Sequence, residues 1–163
     1  MQLKLIAGAL LALALGAAAV VWSQERSRQM VDITAMAPDG QPIVFLHILN
    51  GDIDAIGALL DAGMDIEIRG FQQATPVISA ASSNSWVVVE YLLSRGADPL
   101  AIDRTGFNLP WLVSQSSMLV EDAPPAQALA RVRALLTAAG HMEETFAPAE
   151  AKALLDRNAW PPR

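Results

Sequence analysis

Histidine is the residue type in this sequence best suited to metal or proton chemistry at neutral pH, because imidazole both binds zinc and carries protons. Only two histidines are present, His47 and His141, and they lie far apart in the chain. The run that follows His141 contains Glu143 and Glu144, but it lacks the second histidine of the helical zinc motif. We therefore predict no metal site and no bound cofactor.

Nucleophilic chemistry has equally little support in the sequence. Four serines lie close together, at Ser79, Ser82, Ser83 and Ser85. None of them lies in a nucleophile-elbow motif, and no glycine-rich loop precedes a helix in the context of a strand. We predict no catalytic residues. The alternative is a hydrolase or an enzyme accessory that uses Glu121 and Asp122, and it requires these two acids to face a groove.

An internal repeat organises the chain around these residues. Apolar side chains recur at i, i+3, i+6 and i+7 in three segments, each followed by a glycine: Ile53, Ile56, Leu59 and Leu60; Trp86, Val89, Leu92 and Leu93; Leu129, Val132, Leu135 and Leu136. This spacing puts the four side chains on one face of a helix, which must pack against a neighbour. The first two segments are 33 residues apart, a period typical of stacked solenoids. We predict an all-α solenoid with Trp86 in its core.

The ends of the helices can also be predicted. Gly63 and Gly96 follow the first two apolar segments, where a left-handed residue ends a helix and glycine adopts that conformation at almost no cost. Thr75 and Pro76 begin a shorter helix, with a hydroxyl cap followed by proline at the first helical position. Each unit therefore contains two helices.

These features resemble the ankyrin repeat. The resemblance rests on Thr75-Pro76, on the run 88–93 and on the run 96–99. It is strongest over residues 70–106 and covers about 38–145. It implies about three helix-turn-helix units and a C-terminal capping helix. It also places His47 near the position where the family often carries a histidine that bonds the neighbouring hairpin turn.

The sequence divides into four parts on this basis, and the third part contains three repeats with an inserted loop. We expect a signal anchor or signal peptide at 1–22, a linker and N-terminal cap at 23–37, repeats at 38–69, 70–102 and 103–145, an inserted loop at 116–125, and a capping helix with a tail at 146–163. The loop is either part of a contact surface or a tolerated surface insertion, since lengthening a loop costs little free energy.

The N-terminal segment is predicted to be hydrophobic and helical. Residues 5–22 contain no charge, and at about 1.5 Å per residue they would cover roughly 27 Å of a bilayer core that is about 30 Å thick. An uncleaved anchor is the favoured interpretation, although the small residues at 17–19 also suit a signal peptidase. The alanine-rich composition suggests a bacterial source. We predict an inner-membrane-anchored protein with a periplasmic domain, or a periplasmic protein if the segment is cleaved.

The resemblance further implies a partner-binding groove. In ankyrin proteins the turns between repeats project as fingers, and these form a concave surface together with the first helices. Here the corresponding turns are 66–73 and 101–107. The predicted partner-binding residues are Arg69, Phe71, Gln72, Arg104, Phe107 and Trp111, because aromatic and guanidinium groups are enriched in interface hot spots. The alternative is structural: the phenylalanines tuck under the turns and the arginines bond Asp103 or neighbouring carbonyls.

The net charge of −6 makes a nucleic acid an unfavourable partner. The predicted function is therefore non-catalytic binding or inhibition of a periplasmic or membrane protein by a monomeric module. Alternatives within this class are an immunity protein against a toxin delivered to the periplasm and a scaffold for an oxidative-defence enzyme. Self-association of the stack is a further possibility.

Overall fold

Seven α-helices and no β-strand are found in the computed structural model, which describes residues 31–118, 120, 122–143 and 145–162. They are α1 (Ile43–Asn50), α2 (Ile53–Asp61), α3 (Pro76–Ser82), α4 (Trp86–Ser94), α5 (Leu109–Gln115), α6 (Pro124–Ala138) and α7 (Pro148–Leu155). None of these helices is long and apolar enough to cross a membrane. The predicted N-terminal helix at 1–22 lies outside the described residues.

The helices pack as pairs, and the pairs stack in chain order. Within a pair, α1 contacts α2, α3 contacts α4, and α5 contacts α6. Between pairs, α1 contacts α3 and α3 contacts α5, which forms an inner layer, while α4 packs along α6 in an outer layer. The structure is thus all-helical, as predicted, and consistent with the helical fold of ankyrin repeats.

The predicted helix ends are found where local chemistry demands them. The hydroxyl of Thr75 accepts a hydrogen bond from the N–H of Ile78, and the side chain of Asn108 caps α5 in the same way through the N–H of Trp111. Gly63 and Gly96 follow α2 and α4 with φ values of 94° and 95°, in the left-handed region. Both glycines therefore act as the helix stops that the sequence predicted.

The core runs between the two layers and has Trp86 at its centre. Trp86, Val89, Leu92, Val132 and Leu136 are all fully or almost fully buried. Burying each such side chain contributes about 1.5–3 kcal/mol. One predicted core residue is misplaced, since Leu135 is 48% exposed. The helix that carries it, α6, is the last outer helix of the described chain, so no following helix covers this edge.

Three fingers, rather than the two predicted, project from the stack. They are finger 1 (residues 37–41), finger 2 (residues 70–74) and finger 3 (residues 103–107). Each is closed by the same two backbone hydrogen bonds: Ala37 N–H to Gln41 O with Gly40 N–H to Ala37 O, Gly70 N–H to Ala74 O with Gln73 N–H to Gly70 O, and Asp103 N–H to Phe107 O with Gly106 N–H to Asp103 O. Finger 1 spans the boundary that the sequence analysis drew between the linker and the first repeat. It was missed because fingers were predicted only at the turns between predicted repeats, and residues up to 37 were assigned to the linker and N-terminal cap.

The inserted segment ends earlier than predicted. Residues 116–118, 120, 122 and 123 lie outside helices, whereas α6 begins at Pro124. The predicted loop over 116–125 was therefore two residues too long, because Pro124 and Pro125 belong to the helix. Proline suits the first turn of a helix, because the N–H group that it lacks would have no partner within the helix.

The C-terminal segment covers finger 3. The backbone of α7 passes so close to Gly106 that a Cβ atom there would lie 1.9 Å from the carbonyl oxygen of Pro148. The side-chain amide of Asn108 donates to the carbonyl of Phe146 at 3.0 Å, and the indole N–H of Trp160 donates to the carbonyl of Leu100 at 3.0 Å. These contacts fix the last helix against the third repeat unit.

Candidate partner-binding groove

A groove of about 620 Å³ lies between the inner helices and the fingers. Its apolar lining comes from both kinds of element: Phe45 and Leu49 of α1, Phe71 of finger 2, Ile78 of α3, Phe107 of finger 3 and Leu112 of α5. Its polar lining includes three of the serines of α3 and its turn: Ser79, Ser82 and Ser83. The groove therefore combines an aromatic wall with a floor of small hydroxyl side chains.

Three of the apolar side chains in the groove face water. Phe71 is 71% exposed, Leu49 is 65% exposed and Phe107 is 36% exposed. Their neighbours Phe45 and Ile78 are buried and belong to the core. An apolar patch that remains exposed on an otherwise packed stack is typical of an interaction surface.

Finger 1 and finger 2 are joined by Gln41. Its side-chain oxygen accepts a hydrogen bond from the backbone N–H of Phe71 at 2.7 Å, and its amide nitrogen donates to Asp39 at 2.9 Å. The base of the exposed Phe71 is thus held by the preceding finger. Because the backbone at Phe71 is already held, less loop ordering opposes the binding of a partner there.

The two predicted arginines donate hydrogen bonds to residues of finger 2 and to its neighbours. Nη1 of Arg69 donates to the carbonyls of Gln73 and Ile102, at 2.9 Å and 2.8 Å. Nη2 of Arg104 donates to the side-chain oxygen of Gln72 at 2.7 Å, and the backbone N–H of Arg104 donates to the Gln72 carbonyl at 2.9 Å. The structural alternative for the arginines is that they bond Asp103 or neighbouring carbonyls. Arg69 follows this alternative, because both of its partners are carbonyls.

The six predicted partner-binding residues divide into two sets. Phe71, Gln72 and Phe107 line the groove, whereas Arg69, Arg104 and Trp111 are absent from its lining in the described part of the chain. Trp111 is half-buried against the core and meets the ring of Phe107 edge to face, with centroids 5.4 Å apart. Trp111 therefore supports a wall of the groove.

Asp103 is a groove residue that the sequence analysis did not select as a binding residue. It lines the groove and is only 6% exposed. Its Oδ1 accepts three hydrogen bonds: from Thr105 N–H at 2.8 Å, from the Thr105 hydroxyl at 2.7 Å and from Phe107 N–H at 2.9 Å. These bonds shape finger 3. The sequence signal was an aspartate three residues before a glycine in a turn.

Finger 2 lacks both of the residues that shape finger 3. Gly70 occupies the place of Asp103, and Gln73 occupies the place of Gly106, 33 residues earlier in each case. Gln72 and Gln73 have φ values of 55° and 60°, a left-handed conformation that is unfavourable for residues with a Cβ atom. The bonds from Gln41 and Arg69 hold finger 2 in this shape.

The two histidines have separate local roles. Nδ1 of His47 lies 3.4 Å from a carboxylate oxygen of Asp52, the N-cap residue of α2, so this partner lies between the two helices of its own pair. His141 lines a separate cavity of about 260 Å³ beside Trp160. Among the described residues, no three His, Cys, Asp or Glu side chains are grouped to hold a metal.

Of the two acids that the hydrolase alternative requires, the structure describes Asp122. Asp122 is exposed and is absent from the lining of the groove. Glu121 lies outside the described residues.

Ion pairs tie the outer helices of successive units together. Arg95 of the second unit pairs with Asp61 of the first, and Arg131 pairs with Glu90. The hydrogen bond from Arg131 lowers the pKa of Glu90.

The pKa of Glu67 is shifted in the opposite direction. Its partial burial and the nearby charges of Asp98 and Asp65 raise its pKa, although its oxygen accepts a hydrogen bond from the backbone N–H of Asp98 at 2.7 Å.

Comparison with known proteins agrees with this geometry. The Ankyrin repeat family profile matches residues 72–104. The Palmitoyltransferase AKR1 of Lachancea kluyveri is 31% identical over 94 residues, which is 56% of this chain and 13% of that protein. The Inactive serine/threonine-protein kinase TEX14 of Mus musculus is 35% identical over 79 residues, which is 48% of this chain and 5% of that protein.

The similarity to these relatives is confined to a small part of each. The chain spans 13% and 5% of their lengths, so their own activities do not follow for this protein. The family match identifies residues 72–104 as an ankyrin repeat and supports the assignment of the chain as an ankyrin-repeat protein.

Proposed function

We propose that this chain is a non-catalytic binding module whose groove holds a segment of a protein partner. Ankyrin repeats generally mediate protein–protein interaction, and residues 72–104 match that repeat. The observation that carries the proposal is the exposure of Phe71, Leu49 and Phe107 along one groove. A partner that covers them removes apolar surface from water, at about 25 cal/mol for each Å² buried.

The fingers are suited to this role because they are held before a partner arrives. Gln41 bonds finger 1 to finger 2, and Arg69 and Arg104 bond finger 2 to finger 3. Ordering a loop during binding opposes affinity, so fingers that are already tied together favour it. The predicted arginines contribute to binding in this indirect way.

The location of the module belongs to the same proposal. The uncharged run at 5–22 supports a signal anchor or a signal peptide, which would put the repeats in the periplasm of a bacterium. The partner would then be a periplasmic or membrane protein. Neutralising a delivered toxin and scaffolding an oxidative-defence enzyme are the two versions of this function, and a neighbouring gene for a secreted effector or for a catalase distinguishes them.

Site-specific photocrosslinking in cells tests the groove directly. A photoreactive phenylalanine analogue is placed at Phe71 in one variant and at Leu135 in the other, because both side chains are exposed but Leu135 lies on the outer helix α6. We expect a discrete crosslinked protein from position 71 and none from position 135. Crosslinks from position 135 alone would overturn the proposal, and the attached chain is identified by mass spectrometry.

A further inference from the structure

The described lining of the groove contains one acidic side chain, that of Asp103. It is the one charged side chain among the described residues that line the groove. All three described donors to this carboxylate, the N–H and hydroxyl of Thr105 and the N–H of Phe107, converge on Oδ1. Oδ2 takes no part in these bonds. Oδ2 is therefore the oxygen of this groove-lining carboxylate that these donors leave unoccupied.

We propose that the groove selects a protein segment in which a lysine or arginine stands beside a bulky apolar side chain. This inference rests on the proposed function and names its partner chemistry. The apolar side chain contacts Leu49, Phe71 and Phe107, and the cationic group donates to Oδ2 of Asp103. Both contacts are needed for selection, since the first supplies apolar burial and the second supplies charge recognition.

The surrounding charges favour a basic segment over an acidic one. Asp103 is only 6% exposed, and a charge-assisted hydrogen bond in such a buried position is stronger than in water. An acidic segment would place a second negative charge against it. Arg69 and Arg104 do not line the groove in the described part of the chain. Arg69 donates to the carbonyls of Gln73 and Ile102, and Arg104 donates to the side-chain oxygen of Gln72. The whole chain carries a net charge of −6, which also attracts a basic partner.

The Asp103→Asn variant removes the negative charge while it keeps the hydrogen bonds that shape finger 3. Asparagine keeps an Oδ1 that accepts from Thr105 and Phe107, so finger 3 retains its shape, but the second oxygen becomes an N–H donor. The Phe71→Ala variant removes the apolar wall and leaves Asp103 in place. Leu135→Ala serves as the matched control, because it truncates an exposed apolar side chain on the outer helix.

The experiment selects random peptides displayed on phage against the full chain held in lipid nanodiscs. The same library is selected against the wild type and the three variants, and synthetic peptides from the wild-type selection are titrated against all four. We expect the wild type and Leu135→Ala to enrich Lys or Arg next to a bulky apolar residue. For these peptides, Asp103→Asn is expected to weaken binding by about 10- to 100-fold, the effect of losing a hydrogen bond to a charged group.

The result separates this inference from the function on which it rests. If the wild type enriches apolar peptides without a basic residue, and Phe71→Ala loses them, the groove binds peptides but the charge preference is wrong. If Asp103→Asn binds the selected basic peptides as tightly as the wild type, the inference is again overturned. If the same peptides bind Phe71→Ala unchanged, the groove itself is not the binding surface and both proposals fail.

Discussion

Arg69 donates a hydrogen bond to the carbonyl of Ile102 at 2.8 Å, and the two residues are 33 positions apart in the chain. The same nitrogen donates to Gln73 within finger 2. The guanidinium of Arg69 therefore links finger 2 to the residue that precedes finger 3. The residue that composition alone marks as a contact hot spot is, in the folded chain, a brace between successive repeats.

Replacing this brace should lower stability. Because Arg69→Ala removes the donor to both carbonyls, we expect a loss of about 1–2 kcal/mol in the free energy of unfolding, measured by urea titration of the full chain. Arg157→Ala is the control, since its Nε donates only to Ala153 one turn earlier in α7. The control should change stability by less than about 0.5 kcal/mol. Equal effects in the two variants would argue against a bracing role.

Finger 2 should become more stable when its strain is relieved. Gln73 adopts φ of 60° in the place that Gly106 occupies in finger 3. Gln73→Gly is therefore expected to raise the free energy of unfolding by about 0.5–1 kcal/mol, because the left-handed conformation costs glycine almost nothing. Thermal unfolding measures the change.

Gln72→Gly provides the comparison for that variant. Gln72 is also left-handed, with φ of 55°, but its side chain accepts a hydrogen bond from Arg104. The relief of strain is then offset by the lost bond, so no net gain is expected. A decrease in stability for Gln73→Gly would show that the side chain of Gln73 has a role of its own.

The contact between Gly106 and the C-terminal helix should tolerate no side chain. Gly106→Ala would place a Cβ atom 1.9 Å from the oxygen of Pro148 at a φ of 96°. We expect a loss of more than about 2 kcal/mol and faster amide hydrogen exchange in α7. Gly63→Ala has nearly the same φ, 94°, but no atom within 4 Å of the new Cβ, so it should cost only about 1 kcal/mol.

The pKa shifts of two glutamates predict opposite effects of pH. Burial, together with Asp98 and Asp65, raises the pKa of Glu67 in the folded chain above the ordinary value of 4.5. The stability that the protonated group contributes is present below pH 4.5 and is lost as the pH rises through the folded pKa. Glu67→Gln stays neutral and keeps the acceptor for Asp98, so it should be more stable than the wild type at pH 7 and equal to it near pH 4.

Glu90→Gln should show the reverse trend. Its pKa is lowered by the hydrogen bond from Arg131, so its contribution is present above pH 4.5 and is lost as the pH falls through the folded pKa. This variant should be less stable than the wild type at pH 7, by about 0.2–1 kcal/mol for a largely exposed pair, and the difference should vanish in acid. Unfolding curves across this pH range measure both variants, and parallel curves would contradict the assignments.

Two phenylalanines in the groove should respond differently to truncation. Phe71 is 71% exposed, so Phe71→Ala should change stability by no more than about 0.5 kcal/mol. Phe45 is 5% exposed, and Phe45→Ala should cost about 3–5 kcal/mol through the lost core packing. Calorimetry on both variants tests this. A large loss for Phe71→Ala would mean that its ring serves the fold.

Local rules applied to the sequence predict the helix pairs of the first two units, several of the helix ends and the buried stripe of the core. The threonine cap at Thr75, the glycine stops at Gly63 and Gly96 and the buried stripe through Trp86 all follow from rules that act within one or two helical turns. Such rules can be applied without knowing how the units stack.

The contacts that the finger side chains make follow from the stacking of the units and could not be read from the sequence. The pairing of Arg69 with Ile102, the brace from Gln41 to Phe71 and the exposure of Leu135 depend on contacts between units or on their absence at the end of the described stack. Residue type marked the arginines and phenylalanines alike as contact groups. Residues one period apart become neighbours only when the helix pairs pack. The folded chain therefore shows that the arginines link the fingers, whereas the phenylalanines and Asp103 line the groove.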